Sequence, residues 1–222
     1  MCFSKNLSLS SFSFGLFCCF LLYYFGPKNN LSLNTGIALF FGFVTFMQLI
    51  EYLLWTDIKC KNGLNKFASY LGPLFNHLQP IILFICANSF ISSSNIIPNS
   101  INILVNVIYF FIVIYYYYIY IQNPSNLCTG LNTEKHLDWK WKKNNTFYHF
   151  YFFMVIFNSI NFLYNPYFCI VLFLSFTFLF LSIINFHKNI GEFWCLFVVS
   201  IPLILLIIEL INEKLKKNKN NN

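Results

Sequence analysis

The chain has 222 residues, of which 58% are hydrophobic and only 9% charged, with a mean hydropathy of +0.61. A soluble domain carries about a quarter charged residues, so this composition excludes an ordinary water-soluble globule and points to the membrane class. The formal net charge of +7 is almost all lysine outside the apolar runs; no basic stripe with interleaved aromatics occurs, which argues against a nucleic-acid partner and for the lipid bilayer.

In chain order, seven apolar runs are predicted as membrane spans, at about residues 10–25, 36–55, 67–91, 101–121, 147–164, 167–186 and 190–211. Such lengths suit a hydrocarbon core of about 30 Å. The first run ends in Tyr24-Phe25-Gly26-Pro27 with no small-x-small cleavage site, so it is expected to stay as a span. The second carries Gln48, Glu51 and Trp55 at i, i+3 and i+7, which places them on one helical face. Lipid offers a carboxylate no partner, so that face is expected to look at protein or water.

The third run holds Pro73 and Pro80 with Asn76, His77 and Gln79 between or beside them. This predicts a kinked helix whose freed carbonyls are satisfied by neighbouring helices. Tyr115, Tyr116, Tyr117, Tyr118 and Tyr120 close the fourth run and suit a headgroup belt. Residues 122–146 form the longest polar loop, in which Trp139-Lys140-Trp141-Lys142-Lys143 reads as an interfacial anchor. The Lys/Asn-rich residues 212–222 read as a disordered tail. The predicted fold class is therefore all-α: one polytopic transmembrane helix bundle of about seven spans, residues 1–211.

Alternation of seven spans puts the N-terminus and the second, fourth and sixth loops on one face with nine lysines. The opposite face has Lys28 and the four tail lysines. Loop charge places the N-terminus in the cytoplasm, a polybasic tail asks for the C-terminus there, and an odd span count forbids both. Orientation stays open at the level of sequence.

The same alternation brings the end of the second span and the start of the last to the N-terminal face. A polar pocket is expected there, formed by Gln48, Glu51, Trp55, Trp194 and Cys195 with His77 or His187 nearby. Such a carboxylate serves as a proton relay, a general base or a ligand contact; the competing reading is that Glu51 bonds a neighbouring helix and only locks packing. His, Cys and Glu are suitable zinc or copper donors, but no His-x-x-x-His or His-Glu-x-x-His spacing is present, and no metal or cofactor is assigned. Cys2 and Ser4 read as a nucleophile only with an adjacent base; otherwise Ser4 is a helix cap and Cys2 an interfacial or acylated residue.

Five cysteines, Cys18, Cys19, Cys86, Cys169 and Cys195, fall in apolar runs as packing residues, and no Cys-x-x-Cys motif occurs. Cys60 and Cys128 share a face and can pair only if that face is not cytosolic. Asn76, Gln79, Asn106, Asn158, Asn161 and Asn185 are expected to bond between helices; Glu192 and Glu209, near span ends, can reach the interface and are read as mostly structural.

Three pieces carry a resemblance: the opening Met1-Cys2-Phe3-Ser4, the helix motif Gln48-x-x-Glu51-x-x-x-Trp55, and the late Trp194-Cys195 pair. With these the chain resembles a family of small multi-pass membrane proteins of unknown function found in bacteria and some large viruses. Members place a glycine after the glutamate where this chain has Tyr52. The resemblance implies a seven-span membrane protein and no activity. Three function classes follow: a transporter or sensor of a small molecule or ion, an intramembrane enzyme directed at lipid or assisted by metal, and a structural or assembly protein.

Overall fold

A computed structural model describes residues 4–90, 97–133, 135–143, 145–160, 163, 165–185, 194 and 196–220. The chain folds as an all-α helical bundle of about seven spans, and its seven long helices are α1 (Lys5–Phe25), α2 (Leu31–Thr56), α3 (Leu64–Phe90), α4 (Asn99–Gln122), α5 (Asn145–Ile160), α6 (Pro166–Asn185) and α7 (Ile201–Asn220). Six of the apolar helices are long enough to cross a membrane; the helix over Phe147–Ile160 is shorter.

The first helix starts earlier than hydropathy alone suggests, because Ser4 caps it. Ser4 sits in extended backbone, and its Oγ accepts the Leu7 N–H at 3.2 Å, which satisfies one of the orphan amides of the first turn. Of the two readings for Ser4, the structure thus supports the cap; Cys2 lies outside the described residues.

α2 is the central element, flanked by α1 and α3, with α7 against α1, α2 and α6, and α4 and α5 against α3. Gly15 lets α1 approach closely: a Cβ there would lie 2.7 Å from Thr45 and 3.0 Å from Val199. Small residues serve this purpose where lipid supplies no hydrophobic drive between helices. One core cluster gathers Leu22, Ile37, Phe41, Leu83, Val198 and Leu205; a second gathers Met47, Leu54, Ala68, Tyr116, Leu137 and Trp141. Outside, the helices present bulky apolar side chains, with Phe111 65% and Phe173 71% exposed. A continuous coat of that kind suits hydrocarbon and not water.

Both prolines of the third run lie inside one helix, α3. Two carbonyls of α3 bond neighbouring helices, His77 O accepting the Tyr109 hydroxyl of α4 at 2.9 Å and Pro80 O the Asn158 amide of α5 at 2.8 Å. The carbonyls that the prolines leave without a helical donor are others, those of Ser69 and Asn76 four residues earlier. Asn158 also exchanges amide bonds with Asn106 at 2.8 and 3.0 Å, and Gln79 accepts the Tyr151 hydroxyl at 2.6 Å. Asn106, Asn158 and Gln79 therefore bond between helices as their sequence positions suggest. Asn161 lies outside the described residues.

The connection from α2 to α3 is built on Asp57, whose carboxylate accepts the backbone N–H groups of Lys61 at 2.8 Å, Asn62 at 3.1 Å and Asn65 at 3.3 Å. Gly63, at φ +81°, supplies the left-handed residue that lets the chain turn into α3. Asn65 is fully buried and gives its amide to Leu54 O at 3.2 Å and to Thr129 O at 2.9 Å. Its own Oδ1 accepts Thr129 N at 2.8 Å, while Cys60 and the adjacent Cys128 form a disulfide with Cα atoms 6.0 Å apart.

That clamp changes the reading of the long loop. Trp139 and Trp141 are buried, at 4% and 1% exposure, rather than floating at an interface. A 3-10 turn opens at Lys140; the two indoles stack on each other at 5.1 Å while Lys140 turns to Asp138 at 2.8 Å. The Trp141 ring lies directly on Gly72, where any Cβ would collide with it, and its carbonyl accepts the Tyr116 hydroxyl at 2.8 Å.

Two further expectations are corrected near the C-terminus. The last run is not one uninterrupted helix: a turn at residues 199–200 precedes α7. Pro202 has no N–H to give to Val198 O, and Ser200 instead starts the new helix by accepting Leu203 N and Ile204 N at 3.1 Å. The stretch expected to be disordered continues α7 to Asn220. Lysine and glutamate are good helix formers, the Glu213–Lys217 pair closes at 3.1 Å in the favourable i, i+4 order, and lysines fill the last turn where the helix dipole is negative.

Candidate functional site

The α2 face predicted from spacing is real as an inward face. Gln48 is 2% and Glu51 1% exposed, and Trp55 is half-buried against the cluster of Met47, Leu54 and Trp141. The run around them is apolar, so burial of these side chains follows from the need to keep them out of lipid. Glu51 lies between two donors, Gln48 Nε2 and Trp55 Nε1, that are both buried with no hydrogen-bond partner among the described residues. A buried polar group left so costs about 1–3 kcal/mol. Tyr52, next to Glu51, has the Lys5 ammonium over its ring, 5.2 Å from the centroid.

Trp194 is half-buried and packs against both core clusters, and its Nε1 donates to Ser175 O of α6 at 3.1 Å. It touches the cluster against which Trp55 packs and also lines a cavity with Ile37, Phe40 and Phe41, ten or more positions along α2 from Glu51. Cys195 and His187 lie outside the described residues.

His77 occupies a second and deeper centre. Phe75 of α3 stacks on Phe43 at 5.0 Å and approaches Phe46 at 6.0 Å, which sets the register of α3 against α2. His77 is then level with Gly42, about 8 Å deeper than Gln48 and about 13 Å deeper than Glu51 at about 1.5 Å per residue. Its ring meets Tyr116 edge-on at 5.1 Å and Tyr151 at 6.1 Å, and its Nε2 is buried with no hydrogen-bond partner among the described residues. The three tyrosines around it, Tyr109, Tyr116 and Tyr151, escape a sequence reading that takes such residues as interface markers. Their mid-helix positions are the only signal available.

Glu209 is structural, as read from sequence, but it is buried rather than at the interface. It is 1% exposed, and its two oxygens accept Asn30 at 2.7 Å and Asn34 at 2.8 Å. Both oxygens hold amides of the α2 start, so Glu209 ties α7 to α2 and does not reach an interface.

Among the described residues no three His, Cys, Asp or Glu side chains come together as a metal site. An apolar cavity of about 60 Å³ lies between α2, α3, α5 and α6, walled by Ile37, Phe41, Leu83, Val155, Val171 and Trp194. It is far below the ~300 Å³ of a typical small-molecule pocket. The chemistry on offer is thus at the α2 face, where N–H donors flank an acid.

Comparisons of the chain with protein-family models, with curated proteins and with solved structures find no match.

Proposed function

We propose that this chain is an integral multi-pass membrane protein that takes a small molecule or ion at the Gln48–Glu51–Trp55 face of α2, as a transporter or sensor. The carrying observation is the pair of buried donors, Gln48 Nε2 and Trp55 Nε1, which have no hydrogen-bond partner among the described residues and stand on either side of Glu51 in the sequence of an apolar helix. A ligand that brings acceptors to those nitrogens relieves a burial penalty of about 1–3 kcal/mol for each. The resemblance carried by Met1-Cys2-Phe3-Ser4, Gln48-x-x-Glu51-x-x-x-Trp55 and Trp194-Cys195 agrees with a membrane protein and is silent on activity.

The test has two steps. Carbonate washing of membranes should leave the chain in the pellet. Purified wild type, Glu51→Gln and Gln48→Leu are then melted with sodium, potassium, calcium or zinc ions, or with amino acids and small amines. A true ligand at about a hundred times its Kd should raise the wild-type melting point by about 5–10 °C and the variants by far less. If wild type and both variants respond alike to every probe, the side chains are packing groups and the structural reading stands instead.

A further inference from the structure

The two ends of the bundle differ in chemistry. One end carries the Cys60–Cys128 disulfide, with Cys128 exposed and Cys60 half-buried, so the bridge is within reach of a solvent reductant. Exposed bridges of this kind do not persist against cytosolic glutathione; they belong to oxidising compartments. The other end carries Lys28 and the last turns of α7, where Lys214, Lys216, Lys217 and Lys219 are all exposed. Alternation of the helices puts these sets on opposite faces, and the Glu209 bonds to Asn30 and Asn34 hold the α7 side of that arrangement.

Beside those lysines lies an open groove of about 580 Å³ lined by Tyr167, Ile170, Leu215, Lys216 and Lys219. Its floor is apolar and its rim cationic, as a phospholipid requires: acyl chain along Tyr167 and Ile170, phosphate at the lysines.

We propose that the lysine end of α7 docks on anionic phospholipid headgroups of the cytosolic leaflet, with the Cys60–Cys128 end in the opposite, oxidising compartment. This rests on the membrane reading above and adds its sidedness and lipid partner. The lysine count of the loops, which asks for the reverse orientation, is the weaker argument. Each face has a lysine in an ion pair, Lys140 with Asp138 and Lys217 with Glu213, and a disulfide is a covalent record of the compartment where a lysine count is not.

The experiment uses the full chain with a C-terminal tag. In intact cells the tag should resist external protease. In a Cys2→Ser background, an impermeant maleimide should label the chain only after an impermeant reductant, and that labelling should vanish when Cys60→Ser/Cys128→Ser is added. The wild type and a variant with Lys214, Lys216, Lys217 and Lys219 changed to Gln are then extracted from vesicles of equal phosphatidylcholine and phosphatidylserine. The wild type should retain at least about fivefold more phosphatidylserine, the effect of roughly one lysine near an anionic surface, and 0.5 M salt should erase the difference.

A tag digested in intact cells, free thiols at Cys60 and Cys128, or equal phosphatidylserine in both proteins overturns the proposal. Carbonate washing separates the failures. A chain that stays in the pellet with an exposed tag overturns sidedness alone, whereas a released chain overturns the membrane reading with it.

Discussion

Trp141 and Gly72 show how one missing Cβ organises this bundle. The indole occupies the space a side chain at Gly72 would need, which buries the loop tryptophan to 1% exposure and lets its carbonyl receive Tyr116. Gly72→Leu should therefore expel the ring and destabilise the protein by about 1–3 kcal/mol, the usual range for an overpacked core. Thermal unfolding in detergent, followed by tryptophan emission shifting to the red, measures both effects. An unchanged melting point would mean that Trp141 does not rest there. The same scale governs the site: Gln48 and Trp55 flank Glu51 because seven residues complete nearly two turns.

At the scale of elements, α3 carries two prolines and is tied to its neighbours through its own carbonyls, His77 O accepting Tyr109 and Pro80 O accepting Asn158. The turn before it depends on Asp57. Burial pushes this carboxyl up, but the backbone N–H groups of Asn62, Asn65, Lys61 and Gly63 outweigh it and hold its pKa below the usual carboxylate value. A carboxyl lowered on folding contributes stability above its unfolded pKa and loses it as pH falls through the folded one. The α2–α3 turn should thus be insensitive to pH across the neutral range and loosen only below about pH 4. Hydrogen exchange at the Lys61, Asn62 and Asn65 amides reads this directly. Asp57→Asn should speed their exchange at neutral pH and remove the acid dependence.

For the whole molecule, long-range ties decide the arrangement. The Cys60–Cys128 bridge closes a separation of 68 residues, and a loop of that size is worth about 2–4 kcal/mol in the unfolded chain. Beside it, Asn65 and Thr129 repeat the connection through buried hydrogen bonds. Cys60→Ser/Cys128→Ser should lower stability by about that amount while leaving helix content by circular dichroism unchanged, because the helices close their own backbone bonds. Loss of helix content would show that the bridge directs folding and not merely the loop.

Seven apolar runs, the inward turn of Gln48 and Glu51, and helix-to-helix bonding by Asn106 and Asn158 can be read from sequence alone. Hydrocarbon cannot bond a free peptide or an acid, so run length and 3.6-residue spacing carry that information locally. Other features depend on which distant residues meet. The register of Phe75 on Phe43 separates His77 from Glu51, and the fit of Trp141 on Gly72 buries a loop that composition marks as interfacial. Glu209 reads as structural from its place near a span end, but its capture by asparagines 175 and 179 positions away is decided by packing alone. Such pairings are set by packing between helices, which no window along one helix contains.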